Sequence, residues 1–219
     1  MLINKFVAQA SGLSRRAADA AIAEGRVLIN GHAPALGATV ASEDNVTLDG
    51  AVLTTSITVT IMLNKPMGYV CSRAGQGNQT IYELLPEEYQ QLKPVGRLDK
   101  DSSGLLLLTN DGELANQLTH PRYAKQKVYE ITLNTALEPL HQQMISDHGV
   151  QLEDGPSKLS LENNGGDRKH WRVTMHEGRN RQIRRTFASL GYTVAKLHRT
   201  NFGNYQLGDL ASGQTTKIS

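Results

Sequence analysis

The chain has 219 residues, 39% of them hydrophobic and 20% charged, which is the composition of an ordinary globular protein and excludes disordered or fibrous classes. Apolar runs such as Leu105-Leu106-Leu107-Leu108 fall far short of the roughly 18 residues of a membrane helix, and no apolar leader opens the chain, so a cytoplasmic protein without a membrane role is expected. The single cysteine, Cys71, excludes an internal disulfide framework and a multi-cysteine metal site, and a buried inert thiol is its expected fate.

The net charge of +2 is unevenly placed. Residues 168–185 carry a net +6, from Arg168, Lys169, Arg172, Arg179, Arg181, Arg184 and Arg185 against Glu177, whereas residues 1–57 carry a net −1. A focused basic patch is the usual footprint of a polyanion-binding surface. On charge alone, a solvated basic face explains it equally well.

In chain order, Leu2, Ile3, Phe6 and Val7 recur at helical spacing and stop at Ser11-Gly12. Ser14 is placed to cap a second helix, Arg15–Ile22, which Gly25 closes. A strand Val27–Ile29 runs into the turn Asn30-Gly31, with further strands at Val46–Leu48 and Val52–Leu53. These elements make a small unit over residues 1–55, joined by a polar stretch, Ala51–Thr58, to a second domain over residues 58–219.

In that second domain, Ile57–Leu63 alternates as a strand, broken by Asn64-Lys65-Pro66-Met67-Gly68. Gly75–Asn78 reads as a loop, Glu87–Leu92 as a short helix, and Gly104–Thr109 as a strand buried on both faces. A helix follows Asn110-Asp111-Gly112 to about His120. Then come a strand Lys127–Leu133, a helix Leu137–His148, a strand Trp171–Met175, a basic amphipathic helix Asn180–Leu190 and a strand Tyr192–Leu197. The expected fold is α+β, a small N-terminal α/β module followed by a domain whose mostly antiparallel sheet is flanked by helices.

Familiar catalytic signatures are absent. The seven histidines form no HExxH, and there is no GxSxG, Walker A or GxGxxG motif, so neither a metal site nor a nucleotide cofactor is expected. What stands out is Gly96-Arg97-Leu98-Asp99-Lys100-Asp101-Ser102-Ser103-Gly104, a charged loop leading into the buried strand. A carboxylate held by a loop on a rigid strand is well placed for chemistry, though a charged turn before a strand is also common.

Two resemblances sharpen this reading. Asn4-Lys5-Phe6-Val7, Ser14-Arg15-Arg16-Ala17 and Gly25-Arg26-Val27-Leu28-Ile29-Asn30-Gly31 resemble the ribosomal-S-four-like RNA-binding domain. The resemblance implies that Lys5, Arg15, Arg16 and Arg26 face RNA phosphates; the basic residue usual near Leu2 is missing. The segment from Gly96 to Gly112 resembles the signature of pseudouridine synthases of the RsuA type, which isomerise a uridine of ribosomal RNA. Leu63-Asn64-Lys65-Pro66-Met67-Gly68-Tyr69, Lys127-Val128-Tyr129-Glu130-Ile131 and Glu177-Gly178-Arg179-Asn180-Arg181-Gln182-Ile183-Arg184-Arg185 agree with that family in the same order.

The resemblance implies that Asp99 is the essential catalytic aspartate, that Tyr129 stacks beside the target base, and that Arg184 pairs with Asp99 and keeps it ionised. It implies that Arg97 helps hold the site vacated by the flipped base. In a helix, Arg181, Arg184 and Arg185 share one face, so Arg184 would enter the cleft while Arg179, Arg181 and Arg185 meet phosphates, with Gly178 admitting the RNA backbone. Thr186 stands where the family has Met, and Asn201-Phe202-Gly203 where it is more basic. Ribosomal RNA, free or in a pre-ribosomal particle, is the expected partner of a monomeric enzyme, large-subunit RNA ahead of small-subunit RNA. A non-catalytic ribosome-assembly factor and a transfer-RNA enzyme are the alternatives.

Overall fold

The computed structural model describes residues 1–54 and 57–218 and divides into two compact units, Met1–Val59 with Asn110–Gly112, and Thr60–Thr109 with Glu113–Ser219. Thr55 and Ser56, within the expected linker, lie outside the described residues.

In the first unit, α1 (Ile3–Ser11) ends at Gly12, whose left-handed backbone lets its N–H bond the Ala8 carbonyl. The Ser14 side chain accepts from the Ala17 amide at 3.1 Å and starts α2 (Arg15–Ala23). Strand β1 (Val27–Ile29) pairs antiparallel with β2 (Val46–Leu48), which pairs with β3 (Ala51–Val52). Asn30 and Gly31 both take positive φ, the geometry of a tight type I′ turn, and Ile29 and His32 exchange backbone bonds across it. Ile3, Val7, Ala18, Ala21, Ile22, Val27, Val40 and Val46 form the core of this unit.

The second unit holds β4 (Thr60–Lys65), β5 (Lys93–Pro94), β6 (Ser103–Thr109), α3 (Gly112–Thr119, from Glu113 onward), β7 (Lys127–Leu133) and α4 (Pro139–Gln143). After these come β8 (Val150–Leu152), β9 (Gly155–Ser157), β10 (Ser160–Asn163), β11 (His170–Met175), α5 (Gln182–Ala188), β12 (Val194–Phe202), β13 (Tyr205–Gln206) and β14 (Thr215–Lys217). The main sheet runs β10-β11-β7-β12-β6-β4-β14, with β13 on β12 and β5 on β6; β8 and β9 form a separate hairpin. Among the described strands only β12 and β6 pair in parallel, so the α+β fold with a mostly antiparallel sheet is what the chain adopts.

Leu105, Leu106, Leu107 and Leu108 are fully buried, as expected for a strand covered on both faces. Each contributes about 1.5–3 kcal/mol by leaving water. Gly104 opens this strand at φ +106, and a Cβ there would lie 2.2 Å from the Arg199 carbonyl oxygen. Glycine is therefore what lets β6 and β12 meet, close to the loop that carries Asp99.

Several boundaries differ from expectation. Strand β4 begins at Thr60 and continues through Asn64 and Lys65, stopping only at Pro66, which has no N–H to offer a ladder. The basic helix, Gln182–Ala188, is two residues shorter at each end, and at its start Arg181 adopts φ 46 and stands outside it. Strand β12 begins at Val194 and runs on to Phe202; Tyr192 instead turns its hydroxyl to the Glu138 amide and the His141 ring. The helix expected at 137–148 is α4 followed by a π turn, Met144–His148. The one expected at 87–92 is a single 3-10 turn, Glu87–Tyr89. Strands β5, β8, β9, β10, β13 and β14 were not anticipated; they have two to four residues, too few to carry a period.

Candidate active site

Asp99 sits in the loop between β5 and β6, and the loop is held by its backbone. The fully buried Lys65 ends β4 with its ammonium donating to three carbonyls, those of Asp99 (3.0 Å), Ser102 (2.7 Å) and Pro66 (3.0 Å). The Ser102 amide closes a turn onto the Asp99 carbonyl, and the Gly68 amide bonds the Lys100 carbonyl. Cys71 and Leu98 bond reciprocally, thiol to carbonyl at 3.2 Å and amide to sulfur at 3.4 Å. Burial pushes the Lys65 ammonium below its usual pKa, opposed by Cys71, Asp99 and Asp101, and burial likewise pushes the Cys71 thiol up. With its backbone tied at so many points, the Asp99 side chain is left partly exposed at the wall of a cavity.

That cavity has a volume of about 650 Å³. Arg97, Asp99, Tyr129, Arg179 and Arg181 line it, together with Lys125, Lys127, Leu197, Arg199 and Phe202. Strand β7 places Tyr129 directly opposite Arg199 of β12, with the ring buried. Arg97 is exposed at the cavity wall. The fold thus brings Asp99 and Arg97 from one loop, Tyr129 from β7 and Arg181 from the start of α5 to one cavity, three segments distant in sequence.

The arginines are distributed differently from expectation. Arg181, and not Arg184, is the arginine that reaches the Asp99 carboxylate, with Nη1 3.5 Å from Oδ2. Arg181 also forks onto Asp101 at 2.9 and 2.7 Å. Arg184 instead donates to the backbone carbonyls of Asp101 and Val194, both at 2.6 Å, while its Nε lies 3.3 Å from the Asp101 carboxylate. The cause is the helix start: with Arg181 outside the helix, its side chain swings over the loop while Arg184 is drawn down against it. The Arg181 fork holds the Asp101 carboxyl below its ordinary pKa, and Asp101 in turn raises Arg181. Burial outweighs the same carboxylate at Arg184 and lowers it.

Arg179 and Arg185 do not stand free for phosphates. Arg185 forks onto the Asp154 carboxylate at 3.0 and 2.7 Å. Arg179 donates to Asp154 and to the carbonyls of Asp154, Gly155 and Pro156, with Glu177 beside it. Together they clamp the β8–β9 hairpin, and the buried Thr186 joins them with a 2.7 Å bond to Ser157. Gly178 lies against Lys127, and a Cβ there would make only ordinary contact.

In the first unit, Arg15 and Arg16 are exposed on α2, Arg15 with a 3.4 Å contact to Asn4. Lys5 lies on α1 and is partly buried. Arg26, expected to face phosphate, forks instead onto Asp49 at 2.8 and 2.6 Å, with Glu24 alongside, and these carboxylates raise its pKa.

Sequence reasoning did not assign Lys65, Asp101, Lys127 or Arg199. A lysine ending an apolar strand before proline was the signal available for Lys65. Arg199 gave none, since a single arginine in a strand does not announce its burial. Among the described residues no group of three or more His, Cys, Asp or Glu side chains is arranged to hold a metal ion, and no helix is long and apolar enough to cross a membrane.

Comparison with known proteins identifies the family. Residues 59–189 match the RNA pseudouridylate synthase family. The chain is 37% identical to an uncharacterized RNA pseudouridine synthase of Aquifex aeolicus (strain VF5), over 99% of this chain and 90% of that protein. It is 35% identical to the ribosomal large subunit pseudouridine synthase B of Bacillus subtilis (strain 168), over 99% and 91%. It is also 35% identical to the ribosomal small subunit pseudouridine synthase A of Pasteurella multocida (strain Pm70), over 100% and 96%. Some relatives are longer, and the chain spans 47% of the Xanthomonas campestris large subunit enzyme. A crystal structure of a pseudouridylate synthase superposes with a TM-score of 0.71 at 33% identity, covering 100% of this chain and 96% of the other. With a family match over more than half its length and relatives this similar end to end, the chain belongs to the RNA pseudouridylate synthase family.

Proposed function

We propose that this protein isomerises a specific uridine of ribosomal RNA to pseudouridine, with large-subunit RNA as its substrate and Asp99 as the essential catalytic group. The observation that carries the assignment is Asp99 itself, its backbone pinned by Lys65 and its carboxylate beside Arg181 at a cavity that Tyr129 also lines. A base reaches such a cavity only by leaving its stack. The buried Tyr129 ring then offers the uracil an aromatic face, and exposed Arg97 stands where the vacated stack can be held. Asp99, kept in place by its loop and paired with Arg181, acts on the base or the sugar, as nucleophile or as base, to open the glycosidic bond. The reaction rearranges one nucleoside without net oxidation or reduction, so these side chains have a proton or a nucleophile to supply and no electrons.

Arg15 and Arg16, exposed on α2 of the first unit, support a ribosomal-S-four-like module over residues 1–55 that holds folded RNA by its phosphates. Lys5 joins them in this reading, and Arg26 acts through its hold on Asp49. The enzyme then works in the cytoplasm during ribosome assembly, as a monomer.

Mapping pseudouridines in ribosomal RNA from cells lacking the protein tests the assignment, with complementation by wild type and by Asp99→Asn. Loss of a large-subunit site that only wild type restores is the expected result. A lost small-subunit site would move the substrate to the other particle. Intact sites in both subunits would leave the non-catalytic assembly factor as the better reading.

A further inference from the structure

Arg199 is an arginine buried to 2% exposure in the wall of the Asp99 cavity. One of its donors is used: Nε bonds the Leu105 carbonyl at 2.8 Å. Its Nη2 is buried without a protein acceptor among the described residues, and the guanidinium carbon lies 4.8 Å from the centroid of the Phe202 ring. The Lys127 ammonium lies 5.3 Å from the same ring centroid and donates to the carbonyls of Lys125 and Glu177. No described carboxylate lies within 4.0 Å of either cation. Burial and the neighbouring Arg199 both lower the Lys127 pKa, as two cations without a counter-ion require.

A buried guanidinium with donors to spare is costly unless an acceptor completes it. Arg199 cannot move out to meet one, because its backbone is locked between Tyr129 on β7 and Gly104 on β6. The acceptor must therefore come into the cavity.

We propose that Arg199, with Lys127 beside it, forms an oxyanion subsite that takes a negatively charged oxygen of the target nucleotide. The inference rests on the reading of the Asp99 cavity as the active site. Two oxygens of the nucleotide have this chemistry. One belongs to its phosphodiester. The other is O2 or O4 of the uracil, which share the electron pair left on the ring when the C1′–N1 bond breaks. The ring then turns, C5 bonds C1′, the C5 proton leaves, and N1 takes up a proton, so that the product is an isomer of the substrate.

The test uses the full chain and a ribosomal RNA transcript tritiated at uridine C5, with tritium release as the readout and thermal melting as the check on folding. Arg199→Met is expected to melt like wild type and to lose about 100-fold in kcat/KM, the usual effect of removing one such donor. A fall in kcat at unchanged KM identifies the uracil oxygen, and a rise in KM at unchanged kcat identifies the phosphodiester. Arg199→Lys should retain more activity than Arg199→Met. Guanidinium chloride should restore Arg199→Ala about tenfold, where sodium chloride of equal ionic strength does not, an effect a purely structural role would not produce. A folded Arg199→Met within about threefold of wild type would overturn the proposal. So would a loss that neither lysine nor guanidinium recovers. Asp99→Asn is the control: if it stays active, the active-site reading fails and the subsite falls with it. If it is dead while Arg199→Met is active, only the subsite fails.

Discussion

The Lys65 ammonium lies 3.0 Å from the backbone carbonyl of Asp99, so a fully buried lysine positions the aspartate from behind without touching its carboxylate. The contact works because the same ammonium also takes the carbonyls of Ser102 and Pro66, which uses all three of its donors. Lys65→Met removes the charge at similar volume and strands three carbonyls. It is expected to destabilise the protein by about 2–4 kcal/mol, read by urea unfolding. Unchanged stability would mean that the loop is held elsewhere.

Asp101 is the hub on which Arg181 and Arg184 both converge. Asp101→Asn keeps the backbone carbonyl that Arg184 uses but loses the carboxylate that Arg181 forks. Arg181 should then drift from Asp99, and kcat should fall about 10- to 100-fold with little change in RNA binding, because positioning rather than affinity is lost. Single-turnover kinetics beside an RNA-binding titration check this, and equal loss in both would contradict it.

Gly104→Ala places a Cβ 2.2 Å from the Arg199 carbonyl oxygen, at a φ of +106 that side chains rarely adopt. The parallel pairing of β6 with β12 cannot relax around backbone, so a loss of at least about 3 kcal/mol is expected. A melting curve within a degree or two of wild type would show that the two strands can part more easily than their register implies.

Arg185, with Arg179, holds the Asp154 carboxyl below its ordinary pKa. A carboxyl depressed in the folded state stabilises above its unfolded value, near pH 4, and that stabilisation is lost as pH falls through the lower folded value. The 150–157 hairpin should therefore resist amide exchange at neutral pH and loosen only in acid. Asp154→Asn should loosen it at neutral pH and flatten the acid dependence, as measured by hydrogen exchange of Gly155 and Ser157. Identical exchange in the two proteins would remove Asp154 as the clamp.

Much of this was legible in the chain itself. Ser14, Gly12 and Asn30-Gly31 act within a few residues of their own backbone, so their caps and turn followed from residue type. Leu105–Leu108 declared a buried strand by composition, and the charged loop before it drew attention to Asp99. Pairings across the chain were not legible. Whether an arginine faces RNA, a carboxylate or a carbonyl depends on what the fold sets opposite it. Arg179 and Arg185 met Asp154, Arg26 met Asp49, and Arg181 rather than Arg184 met Asp99.

By itself, then, the sequence determined the capped helices of the first unit, the buried strand, the α+β class and the aspartate loop, because capping, alternation and apolar runs act over a few residues. Only the tertiary structure decided which arginine serves Asp99, why Lys65 is buried, and that Arg199 keeps unused donors in the cavity wall. Those facts depend on strand order and on a parallel pairing between segments almost a hundred residues apart, and no local pattern records either.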